Sequence, residues 1–181
     1  MTLLPRLASL FALLLAGCAS YQPATDTPVR IGPPYKVRGV TYVPAAPPDY
    51  DEVGYASWYG HESGNRTARG EKFRADGISA AHPTLPLPSY VEVTDLATGR
   101  TALVRVNDRG PFAQGRIIDL SRGAARLLGI DGQGHAAVRV RRVDPPEKDR
   151  KRLRKGKPAR DRAPLTGQAL ALQRDRLGLP R

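Results

Sequence analysis

Between residues 52 and 143 the chain alternates short apolar–polar runs with turn residues. Val53 to Tyr59 opens the series, and Ile78 to His82 is a second short run. Pro83, Pro86 and Pro88 then hold an extended crossing in which helix is disfavoured. Tyr90 to Thr94 places Val91 and Val93 on one face. Thr101 to Val106 does the same with Ala102, Val104 and Val106, and the turn Asp95 to Gly99 makes the two runs a hairpin. Ile117 to Leu120 and Ala136 to Val143 read as further strands. One stretch has helical spacing: Arg122 to Leu128, with Ser121 as N-cap and Gly129 to close it. Short strands with one small helix predict a mainly β domain, a compact barrel whose strand order the pattern leaves open.

The flanks have no such periodicity. Met1 to Arg6 is followed by the apolar run Leu7 to Leu15. That run is shorter than the roughly 20 residues needed to span a bilayer, so residues 1–17 read as a signal peptide. It ends in Leu15-Ala16-Gly17-Cys18, which resembles the bacterial lipoprotein box. The resemblance implies that Cys18 carries several acyl chains, enough for stable membrane anchoring. Ala19 follows, which points to the outer membrane, facing the periplasm. Residues 18–51 hold Pro23, Pro28, Pro33, Pro34, Pro44, Pro47 and Pro48 and predict a lipid-anchored, extended tether. At about 3.1 Å per residue, roughly 30 such residues reach on the order of 90 Å. Within it, Val37 to Val43 allows a short strand that packs on the domain.

Charge alters the picture mainly at the other end. The net charge is +12, and residues 144–181 hold twelve Lys/Arg against five Asp/Glu. This segment predicts a basic, disordered tail, with Leu165 to Leu179 a transient helix at most. Its partners would be anionic lipid or wall carboxylates. Nucleic acid is excluded as a partner because the leader directs the chain out of the cytoplasm. The single Cys rules out an intramolecular disulfide, and His61, His82 and His135 lack zinc spacing. No Gly-rich phosphate loop is present, so neither metal nor cofactor is expected.

The candidate chemistry centres on Val104-Arg105-Val106-Asn107-Asp108-Arg109-Gly110-Pro111-Phe112. Here a strand delivers the Asp108 carboxylate onto a sharp Gly-Pro turn, a common setting for reactive groups. Taken alone, Glu71 reads as a solvated loop charge and His82 as a structural histidine at a strand end. Trp58 and Tyr59 offer amphipathic rings for sugar faces, with a core role for Trp58 the alternative. Asn107 and Arg109 would position the acid or grip substrate; Arg109 would otherwise pair with Asp108 or Asp119.

Several stretches together resemble the rare lipoprotein A family. They are Gly54 to Gly60, Thr67-Ala68-Arg69-Gly70-Glu71, Ala80-Ala81-His82-Pro83, Val106 to Phe112, and Arg116-Ile117-Ile118-Asp119-Leu120-Ser121. The resemblance covers about residues 53–143. It implies a six-stranded double-psi β-barrel and lytic transglycosylase activity on peptidoglycan glycan strands, favouring strands stripped of peptide. It also implies that Asp108, Glu71 and His82 are the catalytic residues. We expect Asp108 to be the acid/base with a pKa raised by partial burial, Glu71 to stabilise charge, and His82 to hydrogen-bond a carboxylate or the substrate. Two departures stand out: Arg69 replaces a frequent Asn, and Phe73-Arg74 replaces a frequent Tyr-Asp. A second expectation is a non-catalytic glycan-binding or wall-loosening lipoprotein on the same barrel, as in expansin-like proteins.

Overall fold

The computed structural model describes residues 22–60 and 64–180. The leader, Cys18 and His61 lie outside them. A small hairpin, β1 (Tyr35–Val37) and β2 (Val40–Tyr42), precedes the main sheet. The strands that follow are β3 (Asp51–Tyr59), β4 (Ser79–Ala81), β5 (Ser89–Asp95), β6 (Thr101–Asp108), β7 (Arg116–Ser121) and β8 (Ala136–Arg142). Helix α1 (Arg122–Leu128) separates the last two. The barrel closes in the order β3-β7-β4-β6-β5-β8. Two pairings, β3 with β7 and β4 with β6, are parallel, and the other four are antiparallel.

The alternation seen in the sequence is the reason the barrel has an inside. Val91 and Val93, Ala102, Val104 and Val106, and Val138 and Val140 are all buried, together with Ala56, Ala80, Ile118 and Leu120 from the other strands. Burying each such side chain contributes about 1.5–3 kcal/mol for Val, Leu or Ile. Closure leaves no free sheet edge. Two ladders slip by one residue, at Tyr55/Ala56 and at Ala80/Ala81. The second slip skips Asn107, so Ala81 pairs with Asp108. Irregularities of this kind re-aim side chains beside sites.

Helix α1 has the expected bounds and caps. Ser121 Oγ accepts from the Ala124 N–H, and Gly129 closes the helix in the left-handed region at φ 78°. The same Ser121 hydroxyl donates to Gly77 O at 2.5 Å, fastening the helix start to the preceding turn. Gly123 lies so close to that turn that a Cβ would stand 2.3 Å from Asp76 O.

The flanks differ from the sequence-based expectation. From Gln22 onward, the Pro-rich segment lies along the barrel instead of standing clear as an extended tether. Gln22 N–H donates to Gly70 O at 2.8 Å, and Arg30 and Leu87 exchange two main-chain bonds at 2.8 Å each. Ala45 N–H donates to Thr84 O at 3.0 Å. The physical reason is that proline removes main-chain donors but leaves every carbonyl as an acceptor. Barrel arginines take those carbonyls: Arg105 and Arg69 bond Thr25 O, Arg69 also bonds Pro28 O, Arg109 bonds Ile31 O, and Arg142 bonds Pro47 O.

The basic tail is likewise structured. It forms α2 (Glu147–Arg154) and α3 (Gly167–Arg176). Leu153 of α2 joins the core. Asp149 is wholly buried between Arg160 and Arg162, Arg162 also reaches Glu92, and Arg176 bonds Asp51. A composition count treats these arginines as free charge, whereas the fold uses them as ion-pair partners.

One prediction follows from the helix start. Gly123→Ala forces a Cβ into main-chain oxygens and should cost about 1–3 kcal/mol, lowering the thermal midpoint by at least about 2 °C. Gly132→Ala, where nothing lies within 4 Å, should leave the midpoint within about 1 °C. Comparable melting curves for the two variants would contradict the close approach.

Candidate active site

Asp108 ends β6 and lies where the chain turns at Gly110-Pro111. Gly110 has φ 129°, a conformation that L side chains rarely adopt. Asp108 Oδ1 accepts two main-chain N–H bonds, from Ala68 at 2.7 Å and Arg109 at 2.8 Å. Those donors and the Arg109 charge favour the carboxylate, but burial outweighs them and, with help from the Glu71 charge, raises its pKa above the ordinary value. The group lines an open cleft of about 460 Å³, shared with Tyr59, Arg66, Arg116 and Asp119.

Asp119 reaches this cleft because of the strand order. Ala81 on β4 pairs with Asp108 on one side and Asp119 on the other. The two carboxylate residues therefore stand two strand spacings apart, about 9–10 Å along the sheet. Asp119 accepts from Ser57 Oγ at 2.6 Å and faces Arg116 Nε at 3.3 Å. Tyr59 stacks on Phe73 with centroids 4.9 Å apart. Its hydroxyl is buried without a partner among the described residues. Burial, then the charges of Asp108 and Asp119, holds that hydroxyl well above its usual pKa, so it stays a proton donor. Beyond it, Tyr35 and Tyr42 stack on each other at 5.4 Å, and both meet Phe112 edge-on.

The other residues singled out in the sequence are elsewhere. Glu71 is 4% exposed and bound in a two-pronged pair: Arg105 Nη1 to Oε2 at 2.7 Å and Nη2 to Oε1 at 2.8 Å. Asn107 Nδ2 donates to Oε2 at 2.9 Å, and Arg69 Nε stands 3.8 Å from Oε1. Glu71 and Asn107 thus face the Pro-rich segment that begins at Gln22, the strap, and not the Asp108 cleft. The positive charge that Arg69 brings in place of the frequent Asn stands beside Glu71, but Arg105 is the nearer partner.

His82 is buried in the turn after β4. Its Nδ1 accepts from Thr84 N–H at 3.1 Å and Leu85 N–H at 3.0 Å. Accepting two donors leaves no proton on Nδ1, so the ring proton sits on Nε2, 2.9 Å from Tyr50 Oη. Burial, and then the Arg109 charge, pushes its pKa down to about 3. Arg109 lines the cleft, but its guanidinium donates to His82 O, Leu85 O and Ile31 O, pairing with neither Asp108 nor Asp119 through its side chain. Trp58 packs on the core and donates from its indole to Gln133 O at 3.1 Å. Of the seven sequence candidates, the cleft gathers Tyr59, Asp108 and Arg109. Arg66 carried no signal in the pattern, and Ser57 and Arg116 lay in recognised stretches without being singled out. Asp119 had one, its place in the Ile-Ile-Asp-Leu run, but its position depends on a strand order that the pattern leaves open.

A closed barrel of six short strands with two parallel crossings and an acid at a strand end has the architecture of a double-psi β-barrel. Residues 51–140 match the family described as lytic transglycolase. Over 114 residues the chain is 53% identical to the endolytic peptidoglycan transglycosylase RlpA of Pseudomonas aeruginosa strain UCBPP-PA14, covering 62% of this chain and 33% of that protein. Over 115 residues it is 45% identical to the protein of the same name from Rickettsia bellii, covering 61% and 51%. Among solved structures, apo expansin of Clavibacter michiganensis shares 23% identity at a TM-score of 0.43, covering 54% of this chain and 52% of that one. The chain belongs to the rare lipoprotein A family. It spans about a third to a half of the length of these curated relatives.

Two predictions separate support from chemistry. Glu71→Gln leaves Arg105 buried and charged without its two-pronged partner, with only Asp26 at 3.3 Å to offset it, and should cost about 3–5 kcal/mol. Asp108→Asn removes a carboxylate that burial already disfavours, and should leave stability unchanged or slightly higher. Urea titrations of both variants check this. The second prediction concerns acid. His82 is depressed from 6.5 to about 3, so its contribution is complete above pH 6.5 and is lost as pH falls toward 3. By pH 4 the loss should be about 3 kcal/mol. His82→Gln, which cannot titrate, should show a shallower fall in midpoint between pH 7 and pH 4 than the wild type.

Proposed function

We propose that this protein is an endolytic peptidoglycan lytic transglycosylase, held at the periplasmic face of the outer membrane by lipid on Cys18. The observation that carries the reading is Asp108: a carboxyl group with a raised pKa, in an open cleft that also holds a second carboxylate and a tyrosine hydroxyl. Cutting a glycosidic bond needs a proton for the leaving oxygen and stabilisation of an oxocarbenium-like centre. Asp108 in its acid form donates to the oxygen between N-acetylmuramic acid and N-acetylglucosamine, and the C1–O bond breaks. Asp119, two strands away, places negative charge near the developing cation. The C6 hydroxyl of the same muramic residue then attacks C1 and returns its proton to Asp108. The product is a 1,6-anhydro end. No water is consumed and the acid is regenerated.

The names of the relatives support this reaction class, and the cleft supports the roles within it. Glu71 and His82 act here at a distance: one holds the loop that carries the Ala68 N–H, the other fixes the turn next to Asp108. The anchor and the periplasmic setting rest on the Leu-Ala-Gly-Cys sequence.

Purified glycan strands incubated with wild-type protein and with Asp108→Asn, followed by mass analysis, test the proposal. Anhydro-ended fragments should appear with wild type and fall at least a hundredfold with the variant. The wild-type rate should drop as pH rises, with a midpoint above 3.8, because the acid form is the active one. Reducing ends in place of anhydro ends would make the protein a hydrolase. Binding of strands without cleavage would make it a wall-binding module.

A further inference from the structure

The first described residue of the strap lies beside the basic helix of the tail. Gln22 lines the same pocket as Leu153, Arg154 and Gly156, at the end of α2, together with Lys72 and Arg74. Asp26 of the strap is paired with Arg154 of α2. Cys18 is four residues before Gln22. Four residues span at most about 14 Å. Any lipid on Cys18 is therefore held within that distance of Gln22, at the pocket that Gln22 shares with the end of α2, because the strap is fastened to the barrel from Gln22 onward.

Helix α2 is two-faced. Asp149 and Leu153 are buried, and Arg150 and Arg154 are half-buried against the domain. Lys148, Lys151, Arg152 and Lys155 are exposed, and their spacing puts them on one side of the helix and its C-cap. Among the described residues none of these four is in an ion pair, whereas Arg150, Arg154, Arg160 and Arg162 all are. The fold thus separates arginines whose ion pairs hold the tail from three lysines that face outward beside Arg152, which donates to Pro158 O. Uncompensated cations beside a lipid attachment point are complementary to anionic headgroups within a Debye length, about 10 Å at 0.1 M salt.

We infer that the exposed lysine face of α2 is a docking surface for anionic phospholipid, which lays the barrel against the membrane that bears its anchor. The inference rests on the lipid-anchor reading of Cys18. The occupant is a phospholipid surface and not a glycan carboxylate, because the reach from Cys18 fixes what lies next to α2.

Lysine footprinting tests this on the full acylated chain. The protein is placed in neutral phosphatidylcholine vesicles, or in vesicles with one-fifth phosphatidylglycerol, and exposed to a water-soluble acetylating reagent. Lys36, exposed on β1, serves as the internal reference. Lys148, Lys151 and Lys155 should label at least threefold more slowly in the anionic vesicles, relative to Lys36, and the difference should vanish in 0.5 M salt. Equal labelling in both vesicle types overturns the docking surface while leaving the anchor intact. Slower labelling on addition of glycan strands, without any effect of phosphatidylglycerol, also overturns it. A chain that remains with neither vesicle type removes the anchor reading, and the docking surface with it.

Discussion

The fold depends on one buried ion pair, Glu71 with Arg105. Both side chains are almost completely shielded from water, which costs several kcal/mol per ion unless the geometry is nearly complete. Here it is nearly complete. The guanidinium meets both carboxylate oxygens, and its remaining donors reach Asp26 and Thr25 O. Asn107 fills a further lone pair of Glu71. This cluster joins β6, the loop before β4, the strap and, through Asp26 and Arg154, helix α2.

The cleft carboxyl of Asp108 depends on this support without touching it. Glu71 holds the loop that presents the Ala68 N–H to Asp108, and the neutral His82 ring pins the turn from which Arg109 takes two carbonyls. Asp108 is left balanced between opposing effects: two N–H donors favour its charge, while burial and the Glu71 field oppose it. A group so poised can both give and regain a proton, as one acid/base working through two steps requires.

The barrel was legible in the sequence because period-two alternation is a local signal. Val91/Val93 and Ala102/Val104/Val106 announce their own inward face, and Ser121 with Gly129 marks both ends of α1. The cleft was only half legible. Asp108 is marked by its own turn, but Asp119 joins it through Ala81, a partner 38 residues away in the chain. Such pairing leaves no trace in local pattern. The flanks misled for a different reason. Proline content reports missing donors and says nothing of carbonyls waiting for arginine forks. A count of basic residues does not reveal which ones already have a partner. Glu71 and His82, which the resemblance marks as catalytic, occupy buried, hydrogen-bonded positions outside the lining of the Asp108 cleft.

The strap also has a consequence for how the chain reaches this structure. Asp26 and Arg154 are 128 positions apart, and Arg105 is 79 positions from Asp26. Contacts of such separation require closing most of the chain into a loop, and folds rich in them form slowly. The strap cannot complete its fastening until the last third of the polypeptide is present, because Asp26 pairs with Arg154 and Pro47 O with Arg142. A chain threaded amino terminus first through a membrane would therefore emerge with its strap loose and its carbonyls hydrated. It would complete its fold only once α2 had followed, so that assembly of the working domain is a late, all-at-once event and not a stepwise one.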